Sequence, residues 1–481
     1  MKKFIPILWI IILIGIGFVA YNYFSPEGTP EEHPEETTQD PDQAYDAPRD
    51  TNETYTSLIQ KGDTYFEKAY FQEANDLYQK ALINFPDSTE ALYKIGLTHL
   101  LDNNSERARG YFEQVKIKKD TTEINVLIGR TYLNERNIEI AKEHFDKLEF
   151  SNNEVKYYRA VINILYKQHD DAKEIFAGLI DETAEIEPEI KIKAGVYLDA
   201  YSQFNTYRDG KPPHIDTLLS KALIATGEYE SAIPLLFNAI NSQNNYRDAW
   251  IMLGYSYLKT NKLQDATDAL LQAKSLDPNK PETLFFLGVT YAVQDRLDDA
   301  LFYLEKAQEA GFEPKIQIDQ KLADIYLLKE DYEKALQKYD DITLLNTEDL
   351  SIFAKAVWIC IEKLDKPQKA IGIAERAVHS HPEEAMSYNL RGWSFVAYDD
   401  YDRAKEDLTK AIQLDSSLAQ TYLNIGWMFE KQDQTQIAKE YYKKAHSLDP
   451  DGSVANISVI RFNNIKKKEL SSKLKANITS P

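Results

Sequence analysis

Along most of the chain, large apolar residues recur at helical spacing, and small residues stand at fixed positions between them. Trp250, Leu253 and Tyr257 share one face of a helix, because residues three and four positions apart are neighbours on its surface. Gly254 lies on the same helix and predicts a close approach to a second helix, since a larger side chain would hold the two backbones apart. Pro278 ends that second helix, because proline cannot continue one. The stretch therefore predicts a pair of packed helices.

This helical pair is repeated along the chain. Seven glycines each begin a tetrad that ends in an aromatic residue or a histidine: Gly62, Gly96, Gly129, Gly254, Gly288, Gly392 and Gly426. An alanine follows each of these glycines after twelve positions: Ala74, Ala108, Ala141, Ala266, Ala300, Ala404 and Ala438. One pair cannot bury its apolar face alone, so the pattern predicts neighbouring pairs that stack on one another.

The repeated unit resembles the tetratricopeptide repeat, a helix-turn-helix of 34 residues. The resemblance covers residues 55–452 and implies an all-α solenoid, in which the stacked units form a right-handed superhelix. A first block of repeats is expected at 55–186 and a second at 213–452, about eleven repeats in total.

The phase of the repeats breaks at 187–212. Pro188 can start a helix there, and an apolar stripe runs along the residues that follow it, before a charged, proline-containing loop. An extra helix and loop are therefore expected, as a hinge or equally as a capping insertion. Residues 453–481 predict a final capping helix, since Val454, Ile457, Ile460 and Ile465 recur there at roughly helical spacing and the last repeat needs a cover. The lysines of its basic tail are interpreted as a solvated helix end.

The resemblance also implies a function, because tetratricopeptide arrays are typically scaffolds that bind other proteins or peptide segments. Their first helices line a concave groove. The positions expected to face it in the second block hold aromatic and amide side chains: Tyr255, Phe285, Asn389, Trp393, Asn424 and Trp427. Aromatic residues there suit an apolar or helical peptide. The alternative is that these side chains pack between adjacent repeats.

Some members of the family hold the C-terminal carboxylate of a chaperone with a clamp of lysine and asparagine residues. The corresponding positions of the first block include Ile59, Asp63, Tyr93 and Leu97, which depart from that clamp. That particular partner is therefore not expected.

Residues 1–24 predict a transmembrane helix. The run from Phe4 to Phe24 carries no charge, and at ~1.5 Å per residue it is just long enough for a bilayer core of about 30 Å. Lys2 and Lys3 precede it and no Lys or Arg follows until Arg49, so the N-terminus is expected in the cytoplasm and the repeats on the extracytoplasmic side. The alternative is a cleaved signal peptide that leaves a secreted or periplasmic protein.

Residues 25–54 predict a disordered linker. Prolines recur there among many acidic residues, and the segment has too little apolar surface to fold on its own. Such a segment is expected to act as a stiff spacer that holds the repeats away from the membrane.

Charge and candidate chemistry narrow the possible functions. The net charge of −21 argues against nucleic-acid binding, which needs a basic surface. The single cysteine, Cys360, lies in an apolar run and is expected to be a buried thiol. His379 and His381 are too few for a structural metal site, and the acidic loop 399–402 lacks the remaining features of a calcium loop. No catalytic, metal, cofactor or small-molecule site is therefore expected.

Two hypotheses of different classes follow. The first is a membrane-anchored, extracytoplasmic scaffold that binds other proteins in its groove. The second is a structural protein that assembles by self-association of the solenoid. An enzymatic role has no supporting motif in the sequence.

Overall fold

The computed structural model describes residues 54–479, except for the gaps 68–69, 182–185, 207–211, 346–347 and 450–451. The described residues form 24 α-helices and no strand, which confirms the predicted all-α fold. The predicted membrane span 1–24 and the acidic segment 25–54 lie outside the described residues, apart from Thr54. Within the described part of the chain, no helix is both long enough and apolar enough to cross a bilayer.

The helices belong to two compact units, and each unit is described by itself. Unit 1 extends to Ile318, and unit 2 begins at Asp319. Most helices form consecutive pairs, in which the first helix is called the A helix and the second the B helix. Unit 1 begins with four pairs: α1 (Tyr55–Glu67) and α2 (Phe71–Asn84), α3 (Thr89–Leu101) and α4 (Ser105–Lys118), α5 (Thr122–Asn134) and α6 (Ile138–Asp146), α7 (Asn153–Leu165) and α8 (His169–Leu179).

A single helix, α9 (Pro188–Thr206), follows these pairs inside the stretch where the sequence predicts an interruption. It packs on α8, and the ring of Tyr197 stacks on the ring of Phe176 with the centroids 4.4 Å apart. It also packs on the next helix. Unit 1 then continues with α10 (Pro212–Ala225), α11 (Tyr229–Ser242), α12 (Arg247–Lys259), α13 (Leu263–Leu276), α14 (Pro281–Val293), α15 (Leu297–Glu309) and the start of α16 (Lys315–Leu328).

Unit 2 contains the rest of α16 and three and a half further pairs, followed by a final long helix. A π-helical turn at Ile359–Lys363 extends α18. It directly follows Trp358, which occupies the position that is glycine in the regular repeats. The helices are α17 (Tyr332–Thr343), α18 (Leu350–Trp358), α19 (Pro367–Ser380), α20 (Ala385–Ala397), α21 (Tyr401–Leu414), α22 (Ala419–Lys431), α23 (Thr435–Leu448) and α24 (Ser453–Thr479).

The glycines of the repeat pattern lie where the two helices of a pair cross. A Cβ atom placed on Gly254 would lie 2.5 Å from Cγ of Leu270, and one placed on Gly96 would lie 2.5 Å from Cε1 of Phe112. In all seven tetrads the opposing side chain belongs to the residue sixteen positions after the glycine. The seven alanines of the pattern are fully buried at the same crossings. The predicted close approach at Gly254 is thereby confirmed.

Nine of the described turns between the two helices of a pair share one backbone geometry. The turn after α18 differs, because the N–H of Lys366 donates there to the carbonyl of Cys360. The backbone N–H of Asn104 donates to the carbonyl of His99 across the turn, at 2.8 Å. One residue within each such turn takes a left-handed conformation, for example Asn103 with φ 58° and Asn261 with φ 58°. Asn and Asp tolerate this conformation better than most residues, which explains why polar residues stand at these turns.

Candidate protein-binding surface

The predicted amide residues of unit 2 lie on adjacent A helices. Asn389 belongs to α20 and Asn424 to α22, and Nδ2 of Asn424 donates to Oδ1 of Asn389 at 2.9 Å. Both side chains are buried. This hydrogen bond joins two neighbouring repeats, so the two amides hold the A helices in register beneath the surface that the tryptophans occupy.

Trp393 and Trp427 are half-buried on the same two helices. The indole of Trp427 packs against the core cluster that includes Phe395. Two cations flank the ring, since Nζ of Lys431 and Cζ of Arg461 each lie 5.2 Å from its centroid. Trp427 therefore combines a packed inner edge with a cationic rim, an arrangement that suits a ligand with both apolar and acidic groups.

Tyr255 and Phe285 lie in unit 1 and are buried. The ring of Phe285 stacks on Phe312 with the centroids 4.0 Å apart, and it is fully enclosed. Tyr255 packs at 5.1 Å from the ring of Phe286. In this structure both rings thus fill the space between helices, which is the alternative that the sequence left open for them. Their participation in binding stays a prediction.

An open cleft of about 960 Å³ lies between α22 and α24. Trp427 is connected to it through Arg461, which lines the cleft and lies 5.2 Å from the centroid of the indole. Seven residues along one face of α24 form its wall, the last of them Ser471. The other six are called the α24 stripe: Ile457, Ile460, Arg461, Asn464, Lys467 and Lys468. From α22, Glu430 lines the cleft and accepts hydrogen bonds from Tyr442 and, at 3.4 Å, from Arg461.

The α24 stripe differs from what the sequence pattern suggests. Val454 and Ile465 pack against α23, as expected of a helix that covers the last repeat. Ile457 and Ile460, which follow the same approximate spacing, lie on the open side and are 42% and 59% exposed. The sequence signal that distinguishes Ile457 and Ile460 from the buried residues is their i, i+3, i+4, i+7 spacing with the polar residues of the stripe. This spacing continues to Lys467 and Lys468.

The surface that the A helices of a block form together is called its A-helix face. In the first block, the chain itself covers part of this face. The turn between α10 and α11 lies against α7 and α9, where the hydroxyl of Tyr158 donates to Oε1 of Glu228 at 3.3 Å and the hydroxyls of Tyr197 and Thr226 lie 2.8 Å apart. Glu230, in the first turn of α11, lies with Oε2 3.4 Å from Nε of Arg136. Unit 1 therefore fills part of its own A-helix face with an acidic turn.

Glu228 is buried in this contact, and burial raises the pKa of its carboxyl group. The positive charges of Arg130 and Lys193 and the hydrogen bond from Tyr158 oppose that shift but do not cancel it. Because the folded-state pKa is raised, this group contributes most to stability when it is protonated. Its contribution falls as the pH rises through the raised pKa.

The polar clusters considered as chemical sites have structural roles. Nε2 of His381 contacts the carbonyl of Glu348 at 3.0 Å. Asp399 forms an ion pair with Lys431 at 2.6 Å, and Asp400 caps the N-terminus of α21. The described residues contain no group of three or more His, Cys, Asp and Glu side chains that could hold a metal ion. Cys360 is buried as predicted, and burial raises the pKa of its thiol to about 11.

Family models support the repeat assignment. A tetratricopeptide repeat model matches residues 59–121, 217–281 and 251–314, and a second tetratricopeptide repeat model matches 385–418 and 419–451. These segments fall in both units and include the helices that carry the candidate surface of unit 2.

Several solved structures are similar to this chain. A tetratricopeptide repeat protein from Parabacteroides merdae is 17% identical, with a TM-score of 0.35, over 54% of this chain and all (100%) of that one. Yeast Tom70 is 13% identical, with a TM-score of 0.31, over 87% of this chain and 96% of that one. The Cut9–Hcn1 hetero-tetramer of APC/C gives 12% identity and a TM-score of 0.32, over 85% of this chain and 96% of that one.

Superposition over the whole chains is poor in each case, so the assignment rests on the family models, the paired helices and the spacing of the glycine crossings. The chain contains tetratricopeptide repeats, at 59–121, 217–314 and 385–451, within an all-helical repeat scaffold suited to protein–protein interaction.

Proposed function

We propose that this scaffold binds segments of other proteins on the A-helix face of unit 2, where Asn389, Trp393, Asn424 and Trp427 lie. The observation that carries the proposal is the open cleft on α24, because two exposed isoleucines line it and its Arg461 lies against the half-buried indole of Trp427. Tryptophan is among the residues most enriched at binding hot spots. In the first block, the face between α5 and α9 is occupied by the chain's own acidic turn, which favours unit 2 as the partner site.

Membrane anchoring completes the proposal. The uncharged run from Phe4 to Phe24 and the two lysines before it favour a single span with the N-terminus in the cytoplasm and the repeats on the extracytoplasmic side. The acidic, proline-rich segment 25–54 would then separate the scaffold from the membrane. Partners would be other proteins of that compartment or proteins embedded in the same membrane.

A photoreactive amino acid in place of Ile460 tests the binding proposal in the native cells. The matched control is the same amino acid in place of Ile437, which is 43% exposed on the B helix α23. We expect a partner adduct at position 460 that is absent at position 437, and mass spectrometry then identifies the partner. Adducts at position 437 alone would contradict the assignment of the surface.

With that partner purified, Trp393→Ala combined with Trp427→Ala is expected to weaken binding by at least about 30-fold, since losing even one hot-spot residue costs about 2 kcal/mol or more. Helical content should stay the same in circular dichroism, with only a small change in melting temperature. If the melting temperature instead falls by as much as a buried aromatic truncation would cause, the indoles serve interior packing and the proposal fails at these positions.

Protease accessibility tests the orientation. Protease added to intact spheroplasts is expected to digest the repeats, and moving Lys2 and Lys3 to follow Phe24 is expected to protect them by inverting the span. A cytoplasmic protein probed on the same blot verifies that the spheroplasts are sealed. Digestion only after lysis would refute the extracytoplasmic orientation.

A further inference from the structure

The last helix, α24, has two faces of different character. Val454, Phe462 and Ile465 are buried and pack against α23. The α24 stripe lies on the open side and borders the cleft, with exposed Ile457 and Ile460 near the N-terminal end and exposed Lys467 and Lys468 near the C-terminal end. The stripe thus presents an apolar half and a basic half on one helix face.

The basic half stands out against the charge of the whole chain. The sequence of α24 contains six basic residues and one acidic residue, while the chain as a whole carries a net charge of −21. The acidic residue, Glu469, is held on the α23 side by an ion pair with Lys439 at 2.9 Å and a hydrogen bond from Thr435 at 3.0 Å. Glu430, the carboxylate in the cleft, already accepts from Tyr442 and Arg461. The cleft is therefore positive overall.

The packing of the preceding helices indicates what shape of ligand fits against the α24 stripe. Each A helix of this part of unit 2 lies beside the next one, as α20 lies beside α22 and α22 beside α24. The stripe residues recur at i, i+3, i+4 and i+7, which is the spacing that one helix uses to receive another. A helix is therefore the shape that continues this arrangement.

Resting on the proposed function of this same surface, we propose that the α24 stripe docks an acidic amphipathic helix of a partner protein. Apolar side chains of that helix contact Ile457 and Ile460, and its carboxylates pair with Lys467 and Lys468. An antiparallel orientation brings the acidic residues to the first turns of the partner helix, where its own dipole also favours negative charge. An extended polyanion would form ion pairs with the basic half of the stripe and leave the apolar half uncovered.

Three fluorescent probe peptides test this inference on the full-length chain in mild detergent, by anisotropy. The first is a synthetic helix of about five turns with Glu on one face of its first two turns and Leu on the same face of the later turns. The second replaces each Glu with Lys. The third has the sequence of residues 27–53 of this chain, which is acidic and nearly free of apolar side chains. We expect the first probe to bind best.

Charge reversal then locates the site. Lys467→Glu with Lys468→Glu is expected to weaken the Glu probe about tenfold and to strengthen the Lys probe, since each exposed pair contributes modestly and reversal replaces attraction by repulsion. The control, Lys405→Glu with Lys410→Glu, makes the same change in net charge on exposed positions of α21 and should alter binding by less than about twofold.

Three results would overturn the inference: no binding of the Glu probe, equal effects of the two charge reversals, or binding of the 27–53 peptide as tight as that of the Glu probe. The last result would indicate a surface that takes any polyanion, including this chain's own acidic segment. The outcome is independent of the crosslinking experiment. If a partner is captured at position 460 but its affinity stays the same when the charges of Lys467 and Lys468 are reversed, that result would support the proposed function and contradict only the acidic-helix inference.

Discussion

Truncating Phe285 to alanine is expected to lower the free energy of unfolding by about 3–5 kcal/mol, the usual cost of deleting a fully buried aromatic ring. The ring has no exposed surface and stacks on Phe312 at 4.0 Å, so its removal leaves a cavity between helices that the neighbours cannot close completely. Urea unfolding of the full-length chain, followed by circular dichroism, measures the loss.

Phe302→Ala is the matched control for that measurement. Phe302 lies on the next helix of the same unit and is 53% exposed, so the same chemical change should cost much less. Equal effects of the two truncations would mean that Phe285 is not enclosed in solution. In that case Phe285 would return as a candidate for direct contact with a partner.

Gly254→Leu is expected to destabilise the chain by about 1–3 kcal/mol through overpacking. Even the Cβ atom of the new side chain would lie 2.5 Å from Cγ of Leu270 and 3.2 Å from the carbonyl oxygen of Ala266, so the two helices of the pair must move apart. The change should appear as a lower melting temperature with little loss of helical content at low temperature.

Gly110→Leu provides the comparison, because Gly110 is exposed within α4 and an added Cβ would meet no atom within 4 Å. Leucine favours a helix over glycine by up to about 1 kcal/mol, so this variant should be slightly more stable than the parent. The opposite signs at the two glycines separate a packing effect from helix propensity. An unchanged or higher melting temperature for Gly254→Leu would refute the tight crossing.

The paired helices could be predicted from the sequence because the signal is local and periodic. The position of Gly254 relative to Leu270 depends only on the geometry of one pair, and seven copies of the pattern reinforce it. The burial of Cys360 could also be predicted, since a run of apolar neighbours is sufficient to indicate it.

The distribution of the candidate residues between surface and interior could not be predicted in the same way. Phe285 and Trp427 occupy inward-facing positions of the repeat, but the first meets Phe312 from the segment that follows α15, while the second stays half-buried against Arg461, which lines an open cleft. The difference depends on whether a neighbouring segment supplies a side chain that covers the ring. The periodicity of a single helix does not contain that information. The exposed position of Ile460 was missed because it shares an approximate helical spacing with the buried Ile465.

The acidic turn in unit 1 changes how this array folds. In a regular solenoid, contacts join only adjacent repeats, so folding can begin anywhere and spread by short steps. Here Tyr158 and Glu228 are 70 positions apart, and the side chain of Asn103 reaches the carbonyl of Lys259 across 156 positions. Closing such long loops costs chain entropy before the contacts repay it, which raises contact order and slows folding. These contacts join the repeats from α3 to α12, so we expect their segments to gain or lose their structure together, as one cooperative block.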